Sequence, residues 1–392
     1  MPSPPPTPAL PLALAGLVAL AVAMGIGRFA FTPLLPLMQV DSGLSLAQGG
    51  WLASANYLGY LMGALAAGRV AAGPQFLLRS GLAVVVATTA LMALPAAFGF
   101  WLAVRFAAGV ASAFTLVGTA ALCLARLGEL GHPGLSGVVF SGVGMGIGGA
   151  GLICLLIAGA GGGAATGWAA LAGLGLAGTV AIWGRLVAVG QGAAAGGGAG
   201  PTSAAAGLSP GQRRLVLCYG LLGFGYILPA TFLPAQARLM IPDPAVFGWV
   251  WPVFGLAAMI STLAVGRLAA TRPRRRLWAQ AQWVMAAGVL LPALWGHLAA
   301  LVVAAVCVGG TFLVATLLGL QEARAVAGHA VQRLIAAMTA AFAFGQLAGP
   351  LLTTVGGGST WPLAAAAAGL ALSSILLQAP WPHPQPLPEN TP

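Results

Sequence analysis

The chain is written twice. Gly25 and Gly27 recur 198 positions later as Gly223 and Gly225, Pro36 as Pro234, Trp51 as Trp249, Gly68-Arg69 as Gly266-Arg267, Phe114 as Phe312, Arg126 as Arg324 and Gly151 as Gly349. No gap is needed to align them. The offset is about half of the 392 residues, so the fold must be built from two like halves.

The solvent for those halves follows from charge. Only 5% of the residues are charged and 59% are hydrophobic, whereas a soluble domain carries about a quarter charged residues. Apolar stretches recur at the ~20 residues needed to cross about 30 Å of hydrocarbon. The glycine content also fits a soluble low-complexity chain, but the abundance of Leu, Val, Trp and Phe argues against it. The net charge of +11 does not point to nucleic acid: all sixteen basic residues are Arg, and most lie between apolar spans, where a topology signal belongs. Cys123, Cys154, Cys218 and Cys307 fall inside spans without metal-ligand spacing, so they read as small buried hydrophobes. Neither a metal nor a cofactor is expected.

Twelve spans emerge, near 10–38, 46–70, 75–95, 100–125, 134–160, 166–189, 212–238, 247–270, 276–295, 298–323, 332–355 and 360–378. The expected organisation is a tail over 1–9, a six-helix bundle over 10–190, a Gly/Ala linker over 191–211, a second six-helix bundle over 212–378 and a tail over 379–392. The fold class is all-α integral membrane, with the bundles related by a pseudo-two-fold axis. The Pro-rich start lacks the basic head of a secretory signal, so the first span is expected to stay in the membrane. With both termini cytoplasmic, thirteen arginines (Arg69, Arg79 and Arg126 among them) fall at cytoplasmic ends or loops and only Arg238, near Asp243, falls outside. That asymmetry is a positive-inside signal, and a bacterial inner membrane is the expected location. The glycine run from Gly142 to Gly151 lies in an apolar span with no strand before it, so it is no dinucleotide fingerprint. It serves close helix contact or lets a rocking helix flex.

The first two spans carry Met24-Gly-Ile-Gly-Arg28-Phe-Ala-Phe-Thr-Pro33-Leu-Leu-Pro36-Leu-Met38 and Gly50-Trp51-Leu-Ala-Ser-Ala-Asn56-Tyr57-Leu-Gly-Tyr60-Leu-Met-Gly63. With the 6+6 duplication, they resemble the YbfB/YjiJ-type branch of the major facilitator superfamily. The resemblance implies a transporter and leaves the cargo open. Superfamily motifs are present in altered form. Gly63-Ala-Leu-Ala-Ala67-Gly-Arg69 keeps the Gly and Arg of the loop between spans 2 and 3 but has Ala67 at its acid. Arg105-Phe-Ala-Ala-Gly109 resembles the Arg-x-x-x-Gly motif linked to proton coupling. The span 5 antiporter motif has Ile147 at its Pro position, while Gly349-Pro350 stands in span 11.

Arg28 is the leading site residue. It lies about 15 Å from the outer end of its span, at a depth where Arg costs from about 2.5–3.5 to about 10–17 kcal/mol. A wet cavity and an acceptor would offset that cost. No Asp or Glu falls at mid-depth in any span, so the missing counter-charge is either an anionic substrate or backbone carbonyls of a broken first helix. Tyr226 replaces Arg28 in the second half. Asn56, Tyr57, Tyr60, Arg105 and Gln346 are the other candidate cavity residues, with helix-to-helix bonding as their alternative role. Pro33, Pro36, Pro229 and Pro234 are expected to break spans 1 and 7 as hinges. Arg69 with Glu129 and Arg267 with Glu322 are candidate gating pairs, or else solvated anchors of helix ends.

The leading expectation is a secondary active or facilitative transporter working by alternating access on a small organic anion, as a monomer in the bilayer. Protons remain a candidate coupling partner. Efflux of hydrophobic drug-like compounds is the runner-up. A transporter-like sensor that moves no solute is the alternative of another class. No nucleophile with a nearby base and no phosphate loop is present, so an enzyme is not expected.

Overall fold

The computed structural model describes residues 9–70, 73–196, 208–240, 248–269, 271–327, 331–355 and 361–380. Among these, twelve long helices and no strands are found: α1 Ala9–Ser42, α2 Leu46–Ala67, α3 Gly73–Leu91, α4 Phe98–Glu129, α5 Ser136–Gly159, α6 Ala164–Gly196, α7 Pro210–Met240, α8 Val250–Leu268, α9 Arg274–Leu294, α10 Leu298–Ala327, α11 Val331–Val355 and α12 Trp361–Gln378. Ten are long and apolar enough to cross a membrane on length and composition alone. The other two, α2 and α7, carry Asn56, Tyr57 and Tyr60 in one case and Arg213, Arg214, Tyr219 and Tyr226 in the other. Their polar and aromatic content lowers their mean hydropathy.

α1 is not uniform. An α-helix over Ala9–Leu20 widens to a π-helix over Ala21–Phe29, and α geometry resumes over Phe31–Ser42. Pro33 has no N–H to give the carbonyl four or five residues back, at Phe29 or Arg28. Gly25 and Gly27 lie in the stretch that deforms, and π-turns of this kind concentrate at functional sites. α7, by contrast, continues as one helix through Pro229. The expected break of span 7 is therefore not present as an interruption of the helix: each of its two interior prolines removes one hydrogen bond, and packed neighbours hold the helix through them. Pro36 lies inside the last segment of α1, and the side chain of Pro234 lies outside the described residues, as does Asp243. α6 extends helically to Gly196, further than the sequence suggested.

α5 lies between the two halves and uses glycine on two faces. A Cβ at Gly142 would strike the backbone of Leu17, and one at Gly146 that of Ala21 and Gly25, so this face seats α1. A Cβ at Gly144 would strike Met259 and Gly255, and one at Gly137 would strike Thr262 and Gly266, so the other face seats α8 of the second half. In lipid no hydrophobic force drives helices together, and close backbone approach supplies the contact instead. α2 packs against α11 as the second seam between halves.

The two ends of the bundle differ. One end gathers the arginines: Arg214 at the start of α7 donates to the carbonyls of Ala379 at 2.7 Å and Pro380 at 2.9 Å, tying the end of α12 beside it. At the other end the Asp41 carboxylate accepts from the backbone N–H of Ala164 at 2.5 Å, capping α6. A Ser45–Gln48 capping box starts α2 there, with bonds of 2.9 and 3.1 Å. Trp51 and its repeat partner Trp249 are 66% and 56% exposed near that end, where a membrane interface favours Trp.

Candidate functional site

Arg28 sits on the π-turn of α1 and is 3% exposed. Its Nη2 donates to Oε1 of Gln346 on α11, and the Nε2 of Gln346 donates to the Tyr226 hydroxyl on α7 at 2.6 Å. The guanidinium carbon stands 3.8 Å from the centre of the Tyr60 ring, 5.6 Å from that of Tyr57 and 5.7 Å from that of Phe29. Among the described residues, Nε and Nη1 have no hydrogen-bond partner. The ion pairs among the described residues involve only Arg126, Arg274 and Arg275, so no described carboxylate pairs with Arg28.

Those contacts leave the cation under-satisfied. A hydrogen bond from a charged group contributes about 1.5–3 kcal/mol, and a desolvated cation–π contact about 2. Together they offset the lower, insertion-scale cost of a mid-membrane Arg, about 2.5–3.5 kcal/mol. Two buried N–H groups without partners still cost about 1–3 kcal/mol each.

Arg105, 2% exposed on α4, is a brace for this arrangement. Its Nη1 donates to the Gly27 carbonyl at 3.2 Å and its Nη2 to the Arg28 carbonyl at 3.4 Å. Both carbonyls belong to the π-helical segment, and that of Arg28 lies five residues before Pro33, which has no N–H to give it. Its guanidinium also lies 4.6 Å from the centre of the Phe31 ring. Asn56, fully buried on α2, donates to the Arg105 carbonyl at 3.0 Å. Thus the seven residues Arg28, Asn56, Tyr57, Tyr60, Arg105, Tyr226 and Gln346 stand in one connected cluster. Within it Arg105 and Asn56 use their donors on backbone, as helix-to-helix bonding requires.

Facing this cluster, the second half presents a file of rings that sequence reasoning did not single out. Trp251, Phe254, Phe312, Tyr226 and Phe342 stack in succession, and Tyr219 follows, with neighbouring centroids 5.3–5.4 Å apart. Tyr219 then meets Trp278 edge-on at 6.1 Å. The available signal was Tyr219 and Tyr226, seven apart on α7 and so on one helix face. A cavity of about 20 Å³ lies beside the file, bounded by Tyr226, Phe312 and Phe342 on one side and Met24, Tyr60 and Leu116 on the other. That is room for about one water. Arg28 itself is covered, by the Tyr60 ring on one side and by Gln346 on the other.

The expected gating pairs do not form. Arg69 folds back on the Leu65 carbonyl of its own helix end at 3.3 Å, and Glu129 pairs with Arg126 at 2.9 Å within α4. Glu322 takes Arg275 at 2.5 Å and Arg274 at 3.3 Å, because α9 begins beside the end of α10, while Arg267 is exposed and in no ion pair among the described residues. The arginine-rich end is closed across the halves by other groups. Arg324 donates to the carbonyls of Ala120 at 3.3 Å and Ala121 at 3.1 Å, Gln321 to the Ser136 hydroxyl at 2.6 Å, and Gln332 to the Ala67 carbonyl at 2.9 Å.

The comparisons agree with this architecture. The fold is similar to that of the human organic anion transporter MFSD10 (TETRAN) in its crystal structure, with a TM-score of 0.70 at 15% identity, covering 95% of this chain and 100% of that one. The transporter YceJ of Bacillus subtilis (strain 168), described as an uncharacterized MFS-type transporter, is 36% identical over 93 residues, which span 23% of this chain and 24% of that protein. A family model described as "Uncharacterised MFS-type transporter YbfB" matches residues 20–378. Its match covers both halves, the π-turn with Arg28 and the ring file. The chain is therefore a multi-pass membrane transporter rather than an enzyme, and it belongs to the YbfB-type family of the major facilitator superfamily.

Proposed function

We propose that the chain carries a small organic anion by alternating access, and that the anion binds at Arg28. One observation carries the reading: a guanidinium 3% exposed holds a single neutral carboxamide and has two N–H groups that find no partner among the described residues. A carboxylate matches that planar fork far better than an amide oxygen does. In this reading Gln346 is a placeholder that the substrate displaces. Because Gln346 also holds Tyr226 of the second half, displacement loosens the join between halves, and binding becomes coupled to movement. Both termini face the cytoplasm of a bacterial inner membrane, the working unit is the monomer, and any proton moved travels with the substrate, since no described carboxylate lies near Arg28.

The experiment is transport in proteoliposomes with wild type, Arg28→Ala and Arg28→Lys. Counterflow of small carboxylates is expected to be lost in Arg28→Ala, with folding retained by circular dichroism. Arg28→Lys keeps the charge but loses the fork, and at least a tenfold loss of affinity is expected. Normal counterflow by Arg28→Ala would remove the anion site. Equal transport of a carboxylate and its uncharged amide would favour carriage of hydrophobic compounds, which the apolar cavity lining also suits. Saturable binding with no counterflow would favour a sensor.

A further inference from the structure

The ring file facing Arg28 narrows the kind of anion. We infer that the cargo is an aryl carboxylate: a single flat aromatic ring joined by a short chain to the carboxylate. This rests on the anion reading above and extends it to the part of the substrate that Arg28 does not touch.

The cavity is walled by Tyr226, Phe312 and Phe342, three rings already stacked at 5.3 and 5.4 Å and therefore fixed in orientation. Aromatic pairs add attraction beyond burial because the positive edge of one ring meets the negative face of another. The protein already uses this geometry across its two halves: Phe29, next to Arg28, meets Phe312 edge-on at 6.2 Å and 74°. A cargo ring entering the cavity would sit against the same file. Among the polar atoms in the wall, the Thr316 hydroxyl donates to the Phe312 carbonyl at 2.8 Å and the Tyr226 hydroxyl accepts from Gln346. The remaining lining is dominated by aromatic and aliphatic side chains, which suits an apolar ring. Spacing sets the linker. Tyr60, whose ring is in the cavity wall, stands 3.8 Å from the guanidinium carbon of Arg28, so a chain of two or three carbons is enough to join a ring in the cavity to a carboxylate on Arg28. The space is too small for a ring as it stands, so the halves must part to admit one.

The test is calorimetric binding to the full chain in lipid nanodiscs. Three probes are compared: 3-phenylpropanoate, its saturated counterpart 3-cyclohexylpropanoate, and the uncharged 3-phenylpropanamide. The aryl carboxylate is expected to bind about three- to tenfold more tightly than the saturated one. Phe312→Leu should weaken 3-phenylpropanoate more than 3-cyclohexylpropanoate and so bring the two within about twofold of each other, and Phe312→Tyr should keep the preference. A merely structural role for Phe312 would weaken both carboxylates together and overturn the assignment. Equal binding of the two carboxylates to wild type overturns the ring inference and leaves the anion site standing. Amide binding as tight as the carboxylate overturns the anion site itself, and no binding by any probe overturns both. Should Phe312→Leu fail to fold, the wild-type comparison of the two carboxylates decides alone.

Discussion

Arg28 and Tyr226 hold the same place in the two halves, 198 residues apart, and the carboxamide of Gln346 joins them. Its oxygen accepts from the guanidinium and its nitrogen donates to the phenol. Duplication supplied two equivalent positions at the centre, and divergence made one a cation and the other a ring. The centre thus has a charged side and an aromatic side. The joint between them is a neutral amide, which a stronger acceptor can replace.

That joint gives the first prediction. Gln346→Glu would place a permanent carboxylate against Arg28. The pair should hold the halves together and exclude an external anion. Binding of 3-phenylpropanoate is expected to fall at least tenfold, while the midpoint of thermal unfolding stays level or rises. Unchanged binding in this variant would mean that the carboxamide does not occupy the anion's seat.

Arg105 should behave differently from Arg28, although both are buried arginines, on α4 and α1. Its donors reach the Gly27 and Arg28 carbonyls, so its removal leaves backbone acceptors of the π-turn without partners. Arg105→Ala is expected to destabilise the protein by about 2–4 kcal/mol, read as a drop in unfolding midpoint and yield. The folded fraction should bind the anion probe within about threefold of wild type. A large loss of affinity with no loss of stability would make Arg105 a ligand-contacting residue instead.

How far the sequence could be read depended on how unusual each residue was in its surroundings. The repeat and the apolar spans specified two helical bundles, because nothing else hides so much hydrocarbon. Arg28, Tyr226 and Gln346 stood out because polar groups at mid-depth need partners. The rings did not, since Phe312 and Phe342 in an apolar helix look like any packing residue until their mutual stacking is seen. The prolines signalled breaks equally in α1 and α7, and the Gly25 and Gly27 that precede those of α1 recur as Gly223 and Gly225 before those of α7, yet only α1 widens to a π-helix. Ion pairs were the least legible. Glu322 has several arginines within reach along the chain, and the start of α9, which no spacing reveals, determines that Arg274 and Arg275 take it.

Glu322 tests that distinction. Its pairs lie within the second half and cross no seam. Glu322→Gln should lower stability by about 1–3 kcal/mol, because its side chain is only 8% exposed. Opening of the arginine-rich end should be unaffected. Alkylation of a cysteine at position 316, in a background without the native cysteines, is the measurement; a rate matching that of the parent is expected. Faster labelling in Glu322→Gln would make this ion pair part of the gate after all.

Arg324 carries the opposite expectation. It is the repeat partner of Arg126, but the two have separate tasks: Arg126 pairs with Glu129 on its own helix, and Arg324 crosses the seam to the carbonyls of Ala120 and Ala121. Two charge-assisted bonds that exist only when the arginine-rich end is closed bias the equilibrium toward that state. Arg324→Ala removes both and leaves the end to Gln321 and Gln332. Labelling of Thr316→Cys, a position on the cavity wall, should then speed up about five- to tenfold from the arginine-rich side, and addition of 3-phenylpropanoate should change the rate less than it does in the parent. Arg126→Ala serves as the control, since it removes an exposed pair within one helix and should leave the labelling rate alone. If both arginine variants label at the parental rate, the bonds across the seam do not hold this end shut, and the contacts of α5 with α8 and of α2 with α11 suffice to close it.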